Sequence, residues 1–280
     1  MPCLICQSMN ISKVSVNSGA MKTKDFFSYD ICNECFHIKI NLPLCDSNLG
    51  RNHLKLNIEA DATPSKEIIS RAKKIISMAN NHKKNLNIYE LGSGNCKTSQ
   101  AFTLLGHNGI AVDIDRFNPG YKNFIFFSEL EGVLKDLNPD VYFSNHVFEH
   151  LEQDEFTDML QKLLPYMQTK GVCYFVLPLA KQSLISKGVY LEEFVSGHKN
   201  LYTRKSIEKL IFSLDIFNEI ELMRVEIIKH RLIFLKSRVH FFFNLLSSAK
   251  IKQALALGKY IARSLIVGNS EELAIFLVKK

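Results

Sequence analysis

Three groups of residues in this chain have types and spacings that suit chemistry. The first is a pair of Cys-x-x-Cys steps, Cys3–Cys6 and Cys32–Cys35, with 25 residues between them. Each step places two sulfurs on one tight knuckle, and two knuckles complete the tetrahedral thiolate set that zinc prefers. Four cysteine ligands leave no open position for water, so a zinc held by Cys3, Cys6, Cys32 and Cys35 is expected to be structural. The alternative is four unrelated thiols. The other cysteines, Cys45, Cys96 and Cys173, read as core thiols.

The second group is the run Tyr89-Glu90-Leu91-Gly92-Ser93-Gly94-Asn95-Cys96. Gly92 and Gly94 let a backbone approach a ligand closely, because no Cβ stands in the way. Glu90 lies two residues before the first glycine, and Asp113 closes the next apolar run, Ala111-Val112-Asp113. A carboxylate at a strand end beside a glycine turn can accept ribose hydroxyls. The third group is histidine. His146, Glu149 and His150 have i, i+3, i+4 spacing and would share one face of a helical turn. Two imidazoles and a carboxylate suit a transition metal better than Mg²⁺, although Glu149 bracing a backbone turn or the end of a cofactor is the simpler reading. His198 stands apart in Gly197-His198-Lys199-Asn200-Leu201-Tyr202-Thr203. At neutral pH, His150 or His198 could take a proton from an acceptor, and each could equally be an ordinary hydrogen-bonded histidine.

The elements that must position these residues alternate. Thr63-Pro64 has the form of a helix start, with Thr63 as N-cap and an apolar face of Ile68, Ala72, Ile75 and Ala79. Strands are predicted over 87–91, 109–114, 124–127, 141–144, 171–177, 219–228 and 272–278. Between them come helices through Ala101 and Leu104, through Phe156, Leu160 and Leu163, and after a Thr203 cap through Ile207 and Leu210. This pattern predicts an α/β fold, a mostly parallel seven-stranded sheet covered on both faces. The predicted organisation is a zinc-binding module over 1–60 and a second domain over 61–280, interrupted by a basic helical insertion at 229–267. Sixty residues with few large apolar side chains would be marginal alone, and the metal would supply the missing stability.

Composition narrows the function classes. Hydrophobic residues are 46% and charged residues 22%, which excludes a disordered or fibrous chain. No apolar run reaches the length of a membrane-spanning helix, and the opening residues lack a signal-peptide pattern, so a cytoplasmic location is expected. The +7 charge is concentrated at the end: residues 221–280 carry 11 Lys or Arg against 4 Asp or Glu. A basic surface of this kind meets an anionic ligand or makes weak contact with a membrane surface, or it is simply the solvated side of two helices. Oligomeric state is not encoded in any of these patterns.

On these residues the chain resembles the class I S-adenosylmethionine-dependent methyltransferases over about 85–215. Glu90-Leu91-Gly92-Ser93-Gly94-Asn95 is similar to their first motif, with Cys96 in place of the last glycine. Asp113 matches the acid expected to hold the ribose, and Asp140 to Leu151, ending Phe148-Glu149-His150-Leu151, resembles their fourth strand and the turn after it. The resemblance implies that Glu90, Gly92, Ser93, Gly94, Asp113, Ile114, Glu129 and Asn145 bind S-adenosylmethionine, with Glu129 toward the adenine. A narrower resemblance is to sugar methyltransferases that carry an N-terminal four-cysteine zinc domain. It implies a carbohydrate or nucleotide-linked small-molecule substrate, with His198, His150 and His146 as the catalytic candidates. Gly197 stands where the carbon-methylating members have Glu.

Two other classes compete. A nicotinamide-dependent sugar oxidoreductase could use Tyr166-x-x-x-Lys170, but Lys97 occupies the position where the dinucleotide turn needs its third glycine. A nucleic-acid methyltransferase or binding protein could use the zinc module and the basic end. The module nets only +1, which is poor for tracking phosphates, and a nucleic-acid partner is not expected.

Overall fold

The computed structural model describes residues 2–17, 26–41, 63–79, 83–116, 118, 120–180, 198–214, 218–229 and 271–280. The N-terminal part forms an antiparallel meander of β1 (Ile11–Asn17), β2 (Phe26–Cys32) and β3 (Ile38–Asn41). Along β3 buried and half-buried residues alternate, with Ile38 and Ile40 packed inward against Tyr29 and Ile31 of β2.

A helix, α1 (Lys66–Met78), opens the alternating part. Its cap is Ser65, whose Oγ accepts from the Ile68 N–H at 3.3 Å, so the start falls two residues beyond the predicted Thr63 cap. Ser65 has the extended backbone a cap needs, and Pro64 lies ahead of it rather than in the first turn. Then follow β4 (Asn87–Leu91), α2 (Lys97–Leu104), β5 (Asn108–Asp113), β6 (Phe124–Phe126) and α3 (Leu130–Leu134). After these come β7 (Val141–Asn145), α4 (Gln153–Leu163) and β8 (Val172–Pro178). The two-residue β9 (Asn200–Leu201) precedes α5 (Arg204–Phe212), which Thr203 caps as predicted, in a reciprocal pair with Ser206. The chain closes with β10 (Ile220–Lys229) and β11 (Glu271–Lys279).

The seven-stranded sheet has the order β10-β11-β8-β7-β4-β5-β6, and its β8-β7-β4-β5-β6 portion is parallel. Helices cover both faces of such a sheet, so β4, β7 and β8 are buried along nearly their whole length instead of alternating. β4 has β5 on one side and β7 on the other. Connections leaving β4 and β7 therefore diverge and open a crevice at their carboxyl ends, where ligands bind in folds of this kind.

The smaller sheet has the order β1-β2-β3-β9. Its last strand comes from the alternating part, with Ile38 opposite Leu201 and Lys39 opposite Asn200. Cys3, Ile5, Cys32 and Cys35 pack into the same continuous core as Phe156, Tyr202, Ile207 and Ile211. Residues Met1–Glu226 and Leu273–Lys280 form one compact unit, and Ile227–Glu272 form a second. The predicted boundary near residue 60, Cys45, and all but Lys229 of the predicted basic insertion lie outside the described residues. Among the described residues, no helix is long and apolar enough to cross a membrane.

Candidate functional site

The turn after β4 is held by the neighbouring strand. The N–H groups of Gly92 and Ser93 both donate to the Val112 carbonyl, at 2.8 and 3.1 Å. Gly92 has φ +67°, and a Cβ there would meet Val147 at 2.2 Å. Gly94 has φ +49°, with open space where its Cβ would be. Its N–H donates to Asp113 Oδ2 at 2.8 Å, while Asp113 Oδ1 accepts from the Ile114 and Asp115 N–H groups at 2.7 and 3.4 Å. Asp113 thus ties the glycine turn to the tip of β5. Burial raises its carboxyl above the usual carboxylate range, against the pull of these three N–H groups.

Glu90 faces the start of α2. Its Oε2 accepts from the Ser99 N–H at 2.8 Å and from Ser99 Oγ at 2.6 Å, and so satisfies a donor that the helix itself leaves open. Burial pushes the Glu90 carboxyl up to about 7; hydrogen bonds from Ser99 and Thr98 work against that, and Asp113 adds to it. Cys96 sits just before α2 at φ 60°, a left-handed conformation that costs a non-glycine residue roughly 1–2 kcal/mol. Its side chain is fully buried beside Ala111 and Tyr121, and burial raises the thiol to about 11.

Of the other residues expected to bind the cofactor, Ile114 is 60% exposed beside Asp113. Glu129 is exposed at the end of the turn after β6, next to the exposed Phe126 and Phe127. Asn145 ends β7, where its Oδ1 accepts from Arg71 of α1 at 3.2 Å. The oxidoreductase pair separates: Tyr166 donates to Glu131 and Lys170 is paired with Glu221. Lys170 precedes β8, at the end of the sheet opposite the glycine turn.

The histidines come together. A short helical turn at Phe148–His150 follows β7 and is anchored by Phe148, fully buried between Phe156 at 4.2 Å and Phe175 at 4.8 Å between ring centroids. Glu149 is fully buried; its Oε1 lies 3.1 Å from His146 Nδ1 and 3.7 Å from His198 Nε2. The His150 and His198 rings are 4.7 Å apart at 72°. The backbone locks these segments together, because the Lys199 N–H donates to the Glu149 carbonyl at 2.7 Å and Asn200 Nδ2 to the Leu151 carbonyl at 2.7 Å.

The cysteines also converge. Cys3 and Cys35 sulfurs are 3.6 Å apart, Cys6 and Cys32 sulfurs 3.4 Å, and all four lie within 4.8 Å of one another. These separations are far beyond an S–S bond, and they are near the ~3.8 Å edge of a tetrahedron with ~2.3 Å Zn–S bonds. The two knuckles have the same backbone: Gln7 and Phe36 are left-handed at 58° and 59°, and their N–H groups bond the Cys3 and Cys32 carbonyls, each at 2.8 Å. Cys3 and Cys32 N–H groups in turn donate to the Ser8 and His37 carbonyls. The donor set and its geometry fit zinc. Burial raises the Cys3 and Cys35 thiols; at Cys32 the N–H groups of Cys35 and Glu34, with the neighbouring sulfurs, outweigh burial and lower the thiol to about 7.

Side chains join the cysteine cluster to the histidines. Thr203 Oγ1 donates to the Cys35 carbonyl at 2.8 Å, and buried His37 pairs with Asn200 Oδ1 at 3.0 Å. Burial lowers His37 to about 4, so it is neutral at ordinary pH. Sequence reasoning missed Ser99, Arg71, His37 and Asn200. Ser99 could have been found as the third residue of a helix facing a buried acid; nothing local marks the other three.

No protein-family model matches this chain, and no curated protein does. Solved structures do. A candidate sarcosine dimethylglycine methyltransferase from Galdieria sulphuraria is similar over 83% of this chain and 98% of its own, with TM-score 0.54 at 12% identity. A SAM-dependent methyltransferase from Archaeoglobus fulgidus is similar over 76% and 94%, with TM-score 0.50 at 16% identity. The fold is that of the SAM-dependent methyltransferases. Within this methyltransferase fold, the glycine turn after β4 and the acid at the tip of β5 occupy the carboxyl-end crevice beside the β4–β7 switch point. A phosphoethanolamine N-methyltransferase 2 from Haemonchus contortus, in complex with S-adenosyl-L-methionine, aligns with 75% of this chain but only 52% of its own, at 11% identity and TM-score 0.49.

Proposed function

We propose that this chain transfers a methyl group from S-adenosylmethionine to a small-molecule acceptor, a sugar or nucleotide-sugar. One observation carries the reading: Asp113, at the tip of β5, holds the glycine turn by one carboxylate oxygen. An ionised carboxylate offers about four acceptor sites, and three backbone N–H groups use three of them. The capacity left on Oδ2 suits a ribose hydroxyl. Gly92, Ser93 and Gly94 keep the backbone low beside that oxygen, and exposed Ile114 offers an apolar rest for the adenine, with Glu129 and Asn145 at the neighbouring strand tips. Glu90 acts at one remove, by bracing the start of α2. Bound there, S-adenosylmethionine supplies an electrophilic methyl group that is displaced in line, so alignment accounts for much of the rate.

The acceptor would sit at the histidine cluster, where His198, with His150 beside it and His146 behind Glu149, draws off the acceptor proton. Cys3, Cys6, Cys32 and Cys35 would hold a structural zinc, whose chemistry is that of a cross-link between the two knuckles. Through the β3–β9 pairing and the Thr203 and Asn200 bonds, that cross-link sets the position of His198. A cytoplasmic location belongs to this reading, because cysteines that hold zinc must stay reduced. The test is incubation of the purified chain with S-adenosylmethionine and a panel of nucleotide-sugars, scored by mass gain of one methyl group. Methylation confined to peptides, nucleic acids or non-sugar metabolites would overturn the sugar assignment.

A further inference from the structure

We infer that Glu149, His150 and His198 bind a divalent cation of the transition series. One ligand atom from each residue lies within 4.8 Å of the other two. The 3.7 Å between Glu149 Oε1 and His198 Nε2 is too long for a hydrogen bond. It is close to the separation of two ligands sharing one ion, since bonds of ~2.1 Å at tetrahedral angles put donor atoms about 3.4 Å apart. The carboxylate is fully buried, and its Oε2 meets no hydrogen-bond donor among the described residues. Burying a carboxylate oxygen without a partner is strongly unfavourable, and a cation held by both oxygens of Glu149 removes that penalty.

The frame around the three ligands is rigid. Phe148 fixes the turn that carries Glu149 and His150, and the Lys199–Glu149 backbone bond fixes His198 against it. His146 Nδ1, 3.1 Å from Glu149 Oε1, supports the carboxylate from outside, as residues behind a metal ligand do. Two imidazoles and one carboxylate select manganese, iron, cobalt, nickel or zinc over magnesium and calcium, whereas the four-thiolate cluster selects softer ions. The two clusters therefore differ in the range of metals they take, with zinc common to both.

Three protein ligands leave coordination positions open to an acceptor. A hydroxyl bound there loses its proton more readily; with an ion in place His198 acts through its hold on that ion instead of as the free base of the reading above, and the proton passes to solvent. This role in methyl transfer rests on the function proposed above; the binding of the ion does not.

The experiment is a calorimetric titration of Co²⁺ into the full-length, zinc-loaded protein, with absorption spectra taken alongside. One saturable Co²⁺ is expected, without the intense near-ultraviolet band that cobalt gives on thiolates. Glu149→Gln and His150→Asn should each weaken it at least tenfold while S-adenosylmethionine affinity stays within threefold. His150 is only partly buried, so its variant keeps the test open should Glu149→Gln fail to fold. Absence of saturable Co²⁺ binding, a thiolate band that accounts for all of it, or unchanged affinity in the His150 variant would each overturn the site. Co²⁺ binding by a protein without affinity for S-adenosylmethionine would keep the metal site and end the methyltransferase reading.

Discussion

The glycine turn and the histidine cluster lie at the tips of neighbouring strands, yet they are assembled in opposite ways. The turn draws on a short stretch, Glu90 to Asp113, and its hydrogen bonds run between one strand–helix unit and the next strand. The cluster joins Glu149 and His150 to His198, and the segment that follows His198 carries Asn200 and Thr203, which bond His37 and Cys35 more than 160 residues away. Local parts make the first region independent of the cysteine knuckles. Distant parts make the second one depend on them.

The largest effect should come from cutting that dependence. Cys32→Ser, or removal of the zinc proposed at the four cysteines, should cost about 5 kcal/mol of stability. It should also raise hydrogen exchange at 198–203 while 90–113 stays protected; equal loosening of both regions would break the contrast. Next, His198→Ala should lower turnover about 10²- to 10⁴-fold with cofactor affinity unchanged, read as kcat against the binding constant. Asp113→Ala should act on the other region, weakening cofactor binding about 100-fold, and should leave the zinc proposed at the four cysteines in place.

Acid and base should separate the regions too. Glu90 has an ordinary value of 4.5 and is held near 7 when folded, so stability is lost as pH rises from 4.5 to 7. Glu90→Gln should therefore gain up to ~3 kcal/mol over the parent above pH 7 and nothing near pH 4. His37 moves the other way: with a folded value near 4 against 6.5, it loses stability as pH falls from 6.5 to 4. His37→Gln should remove that acid sensitivity, again up to ~3 kcal/mol. Denaturant midpoints across pH 4 to 8 read both slopes. The smallest effect belongs to Cys96→Gly, where relief of the left-handed backbone offsets the lost thiol packing, for a net change within ~1 kcal/mol.

The contrast also explains what was legible in the sequence. Each of the seven strands of the large sheet lies within two residues of its predicted span, because apolar runs and glycine breaks encode them locally. Thr203 was readable as a cap for the same reason, whereas Ser65 and Thr63 are both plausible cap types two positions apart, and only the backbone decides between them. The Cys-x-x-Cys pairs announced a cluster. Strands β1–β3 and β9 were not foreseen, since β9 is two residues long and gains its meaning only from pairing with β3. Glu149 was read within its own turn, beside His146 and His150; its approach to His198 is set by tertiary packing.

The central claim is a cofactor cradle made by the glycine turn and Asp113, and calorimetry of S-adenosylmethionine binding tests it most directly. The account expects saturable one-to-one binding by the purified chain and its loss in Asp113→Ala that remains folded and zinc-loaded. A folded parent protein with no affinity for S-adenosylmethionine or its demethylated product would contradict it.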